Sequence, residues 1–146
     1  DAFAIYQRLS ERSEAPFSTF LKFQEFHVMC ASPERFLQKK VNKLISQPIK
    51  GTAPRFSDPE LDKASANQLK NSEKERAENV MIVDLVRNDL SVTAQKGSVK
   101  VEELCGIYAF KHVFQKISTI SSLLRPNTSW LAILTSTFPM GSMTGA

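Results

Sequence analysis

Two ionisable residues stand where regular structure gives way to proline-containing loops: Glu34 in Ala31-Ser32-Pro33-Glu34-Arg35 and Lys50 in Pro48-Ile49-Lys50-Gly51-Thr52. Such positions let a rigid scaffold present reactive groups. A lysine between Ile49 and Gly51 is oddly placed for a solvated ammonium. Buried, such an amine acts as a nucleophile, and a neighbouring carboxylate can protonate a departing hydroxyl. Spacing alone does not bring the two together, and two ordinary solvated loop charges satisfy the same pattern.

A second pair is Glu75 and Glu78. Three residues apart on a helix, they share a face, and their mutual repulsion is relieved by a cation. Oxygen ligands of this kind suit Mg²⁺, which takes one or two protein carboxylates and keeps waters and substrate oxygens. The structural alternative is that Glu75 closes a capping box with Ser72 while Glu78 pairs with Lys74. A third feature is the stretch Gly141-Ser142-Met143-Thr144-Gly145-Ala146. Its backbone N–H groups would suit an anion, and a loose terminus explains it equally. Asp84, Arg87, Asn88 and Asp89 read as an ion-pair and capping network, Trp130 and the phenylalanines as core, and His27 and His112 as structural or surface histidines.

The elements that must carry these residues follow from local pattern. Residues 1–14 read as a helix stopped by Pro16. Two strands follow around a polar turn near Gln24-Glu25, the second marked by the alternation Phe26, Val28, Cys30. Residues 31–35 read as a loop, 43–45 as a short strand, and 48–52 as an extended segment with a tight turn. Residues 58–94 read as two helical pieces. Asp58-Pro59 opens the first and Ser72 the second. Residues 98–104 and 113–124 read as strands, and a helix capped by Asn127 or Thr128 runs to Pro139. Hairpins mixed with helices, without regular strand–helix alternation, give an α+β class.

Composition narrows the function classes. The chain has 146 residues, 42% of them hydrophobic and 10 of them Phe, which suits a folded unit. No apolar run approaches the ~20 residues of a membrane helix, and no signal peptide opens the chain. The net charge of +4 is spread among acidic neighbours, so neither nucleic acid nor membrane is an expected partner. Cys30 and Cys105 form no CxxC, which suits buried free thiols in a reducing cytoplasm.

Six blocks then occur in an order that resembles the chorismate-binding enzymes. They are SPERF at 32–36, PIKGT at 48–52, EKERAENVMIVDLVRNDL at 73–90, GSVKVEEL at 97–104, STI at 118–120 and FPMGSMTGA at 138–146. That family includes anthranilate synthase component I, aminodeoxychorismate synthase component I, and isochorismate and salicylate synthases. The resemblance implies the anthranilate synthase component I-like fold. It also implies that residues 1–146 are one partial chorismate-binding domain, because family members extend beyond both ends of the matched blocks and carry a second carboxylate pair there.

The resemblance also implies roles. Lysine at position 50 is similar to the aminodeoxychorismate synthase branch, where anthranilate synthases usually carry alanine. In that branch the lysine amine adds at C2 of chorismate as the C4 hydroxyl leaves, and ammonia then enters at C4 and expels the lysine. Glu34 is the implied general acid, and Glu75 and Glu78 are implied Mg²⁺ ligands. Thr52, Gly141 and Ser142 are implied to line the chorismate pocket. Gln115 stands where many members have histidine, so that position keeps hydrogen bonding without a cationic form. Ammonia is implied to come from a separate glutamine amidotransferase subunit. Anthranilate or isochorismate synthesis, and a non-catalytic structural role, are the competing readings.

Overall fold

Asp1 caps the first helix by accepting from the Phe3 N–H at 3.0 Å, and α1 runs Ala2–Ser13. The helix ends at Glu14, whose φ of 47° turns the chain out of helical geometry ahead of Pro16. Strands β1 (Phe17–Lys22) and β2 (His27–Ser32) then pair antiparallel from Phe17↔Ser32 to Lys22↔His27. The Phe20 ring lies 5.3 Å from that of Phe3, 5.5 Å from Tyr6 and 5.5 Å from His27, which joins helix and hairpin. The Arg35 guanidinium sits 4.8 Å over Phe17. The computed structural model describes residues 1–141, and residues 1–35 form a compact unit of their own.

The second unit, from Phe36 onward, is built on one long strand. Strands β3 (Arg35–Lys40), β4 (Lys43–Gln47), β5 (Ile49–Pro54), β6 (Lys100–Ala109) and β7 (Val113–Leu123) form one sheet. Its centre is β7, with β6 antiparallel along one edge. β4 and β5 follow one another along the other edge in unbroken register through Ile49, and Ser118 donates to the Pro48 carbonyl between them. β3 extends the sheet beyond β4.

Helices α2 (Pro59–Asn71), α3 (Glu73–Ser91) and α4 (Trp130–Thr137) complete the unit. Asp58 caps α2 by accepting from Glu60 and Leu61, with Pro59 in the first turn. Arg55 holds the end of β5 to α2 through a forked pair with Asp62 (Nε–Oδ1 2.8 Å, Nη2–Oδ2 2.8 Å) while lying 4.5 Å over Phe114. Leu44, Val83, Leu90, Ile120, Leu124 and Ile133 make the core, so β7 packs on α3 and α4.

β1 pairs antiparallel with β2, and β4, β5 and β6 each pair antiparallel with β7, as the α+β class expected. Several details differ from the sequence reading. The expected loop at 31–35 is largely the end of β2 and the start of β3. The 48–52 segment holds no tight turn; it is strand β5 with a bulge. Ser129 caps α4, because its side chain accepts from Ala132 while Thr128 bonds back to Arg125. Cys30 is exposed and Cys105 half-buried, since the alternation Phe26, Val28, Cys30 lies on the open side of β2. Trp130 is 51% exposed, with Lys39 over its ring.

Candidate functional site at the strand bulge and helix start

The register on β7 places Ile49 opposite Ile117 and Thr52 opposite Gln115. Lys50 and Gly51 therefore both oppose Lys116, a bulge that re-aims side chains. Gly51 adopts a φ of 99°, and a Cβ there would stand 3.0 Å from Glu75 Oε2 and 3.1 Å from Leu69 Cδ1. Glycine is thus required twice, by the left-handed backbone and by the approach of the α3 carboxylate. Lys50, half-buried, is carried on the residue next to this contact. Among the described residues Lys50 forms no ion pair.

Ser72 starts α3 by accepting from the Glu75 N–H at 3.3 Å. In a reciprocal capping box the Glu75 carboxylate would bond back to the Ser72 N–H. Here that N–H donates to Leu69 O at 3.4 Å. The half-buried Glu75 carboxylate is left for Gly51 and the cleft beside it. That cleft has a volume of about 440 Å³, and Thr52, Gln68, Ser72 and Glu75 supply its polar lining. Glu78, one turn on, is exposed and lies 3.9 Å from Lys74.

Gln115 is buried, and its Oε1 has no hydrogen-bond partner among the described residues. Tyr108 opposes it on β6 and donates to Glu103, which raises the phenol pKa above its ordinary value. Gly141 meets α3 near Leu85, where a Cβ would stand 2.9 Å from Leu85 Cδ1, so glycine is needed for the close approach. Leu85 lies about two turns past Glu78. Ser142 falls outside the described residues. Glu34 belongs to the first unit, where it is half-buried and its N–H donates to Ser32 Oγ at 3.2 Å.

The structure thus gathers Lys50, Gly51, Thr52, Gln115 and Glu75 in one region. Three residues to which the sequence reading gave no role hold it together. Asn79, fully buried, donates to Lys116 O at 3.4 Å and accepts from Ser118 Oγ. Lys116, also fully buried, reaches the Ser72 carbonyl at 3.4 Å. Lys116 and Ser118 are polar residues two apart on β7, and Asn79 lies on α3, where no local pattern marked it.

Glu75 and Glu78 could contribute two oxygen ligands to a hard cation. Among the described residues no group of three or more His, Cys, Asp or Glu is arranged to hold a metal. The donor set fits half of a Mg²⁺ site, with oxygens from substrate or from further protein completing it.

Residues 1–146 match the model of the chorismate binding enzymes over the whole chain. The chain belongs to the chorismate-binding enzyme family. Aminodeoxychorismate synthase component 1 of Salmonella typhimurium is 44% identical over 146 residues, which cover 100% of this chain and 32% of that protein. Anthranilate synthase component 1 of Saccharolobus solfataricus is 38% identical, over 100% of this chain and 35% of that protein. The crystal structure of anthranilate synthase component I from Streptococcus pneumoniae superposes with a TM-score of 0.86 at 30% identity, over 100% of this chain and 32% of the other. The chain spans about a third of the length of these relatives. Like its family it has the anthranilate synthase component I-like fold that its motifs implied.

Proposed function

We propose that this chain works within an aminodeoxychorismate synthase component I, which converts chorismate and ammonia to 4-amino-4-deoxychorismate, the precursor of para-aminobenzoate and folate. The observation that carries the reading is Lys50, half-buried on a bulge whose next residue touches Glu75. An amine addition gives a reason for lysine at this position. Relatives named aminodeoxychorismate synthase component 1, at 40–44% identity, support it.

In this mechanism the Lys50 amine forms a bond to C2 of chorismate, the ring double bond shifts, and the C4 hydroxyl departs as water with a proton from Glu34. Ammonia then bonds to C4 and the C2–N bond breaks, returning Lys50. The net change is chorismate and ammonia to 4-amino-4-deoxychorismate and water. We assign Thr52, Gln115 and Gly141 to substrate binding, together with Ser142, which lies outside the described residues. Gln115 offers a buried acceptor that does not titrate. Glu75 and Glu78 would hold a Mg²⁺, which would supply positive charge against the chorismate carboxylate.

The name "component 1" on the relatives implies a second component, which we assign as a glutamine amidotransferase supplying ammonia. Among the described residues no helix is long and apolar enough to cross a membrane. We assign the enzyme to the cytoplasm; plant relatives are named chloroplastic. The test is to incubate the full-length protein with chorismate, ammonia and Mg²⁺ and identify the product by chromatography and mass spectrometry. 4-Amino-4-deoxychorismate is expected. Anthranilate or isochorismate as the main product overturns the assignment.

A further inference from the structure

The largest fully buried side chain among the described residues is Lys116, at 0% exposure in the middle of β7. Nothing in the proposed reaction uses it. A buried amine held by one carbonyl is a costly thing to keep inside a fold, and an apolar residue of that length would pack there without the cost. What sets Lys116 apart is its contact. Its Nζ donates to the carbonyl of Ser72 at 3.4 Å. Ser72 both ends α2 and starts α3: its N–H goes back to Leu69 O, its Oγ takes the Glu75 N–H and its carbonyl takes the Arg76 N–H.

These contacts close a circuit. β7 carries β5 through the ladder, β5 holds Gly51 against Glu75, Glu75 is capped by Ser72, and Ser72 is tied back to β7 by Lys116. One residue of β7 thus faces the Lys50–Gly51 bulge across the ladder and grips the start of α3 with its side chain. Asn79 repeats the tie about two turns further on, through the Lys116 carbonyl.

We infer that Lys116 is a positioning residue: its buried amine fixes Ser72, and through Ser72 sets the Glu75 carboxylate against Gly51 in the geometry that takes the metal. This rests on the proposed role of Glu75 as a Mg²⁺ ligand. Partners that orient a ligand without touching the metal typically contribute 10–100-fold in metal affinity.

The test uses the full-length protein and Mn²⁺ as a spectroscopic substitute for Mg²⁺, with free Mn²⁺ read by electron paramagnetic resonance and folding by thermal melting. Lys116→Met keeps the length and removes the donor. It should weaken Mn²⁺ binding by about tenfold with the melting temperature held within a few degrees of wild type. Glu75→Gln should weaken binding too, and Lys116→Met added to Glu75→Gln should weaken it no further, because the effect runs through Glu75. Unchanged Mn²⁺ affinity in Lys116→Met, or losses that add in the double variant, overturn the inference and leave the proposed function standing. A Glu75→Gln protein that binds Mn²⁺ as the wild type does overturns the metal reading and the inference with it. Should Met at 116 prevent folding, Lys116→Gln, polar but one atom shorter than the 3.4 Å contact needs, takes the same comparison against Glu75→Gln. Weakened binding that adds nothing to Glu75→Gln supports the inference, and unchanged affinity or additive loss overturns it.

Discussion

The two halves of β7 meet the helices through different contacts, although each half buries both polar and apolar residues. Toward Leu123, Ile120 joins Leu124 and packs with Leu44, Val83, Leu90 and Ile133 in a dry apolar cluster. Toward Val113, the equivalent helix-facing positions are Lys116 and Ser118, both fully buried and both spent on hydrogen bonds to Ser72 and Asn79. Apolar packing stabilises without fixing direction, whereas a buried polar contact stabilises little in net terms but is costly to misalign. The strand therefore divides labour along its length. One end supplies stability, and the other gives up some of it to hold Gly51, Thr52 and Glu75 in register.

Exchanging the two kinds of contact sharpens this contrast. Ile120→Ala should cost the full-length protein about 2–5 kcal/mol in denaturant unfolding, while the protein that remains folded keeps its turnover. Asn79→Ala should cost less, about 1–3 kcal/mol for the polar partners left unmet, yet lower turnover more than Ile120→Ala does. A reversed ranking of turnover, with Ile120→Ala the more damaging to chemistry, breaks the comparison.

The smallest effect belongs to the Arg55–Asp62 fork. The hydrogen bonds from Arg55, and then the Phe56 N–H, lower the Asp62 pKa below its ordinary value. A carboxyl lowered in the folded state stabilises above its unfolded pKa of about 3.9, and that contribution is lost as pH falls through the lower folded value. Asp62→Asn should therefore melt earlier than wild type at pH 7. The gap should narrow as pH drops below about 3.9. A gap that widens in acid would contradict the pairing.

Much of this was legible in the residues. Asp58-Pro59 and Ser72 announced the two helix starts because capping chemistry is local. The motif order announced the family because six blocks rarely coincide. The bulge at Lys50–Gly51 was not legible: it is defined by register against Gln115 and Ile117, more than sixty residues away. Glu75 read as half of a capping box because its sequence spacing is right. The structure returns only the Ser72-to-Glu75 half, and the carboxylate goes to Gly51. Lys116 was passed over because a lysine in a strand reads as exposed until the helices above it are in place. Trp130 and Cys30 read as buried on residue type alone, and both are exposed.

The central claim is that the Lys50 amine bonds to the substrate. It is tested most directly by mixing full-length protein with chorismate and Mg²⁺ in the absence of ammonia, quenching by denaturation, and mapping peptides by mass spectrometry. The account predicts that the peptide containing Lys50 gains the mass of chorismate less one water, and that Lys50→Ala shows no adduct. The same mass on any other residue, or full turnover by Lys50→Ala, would contradict it.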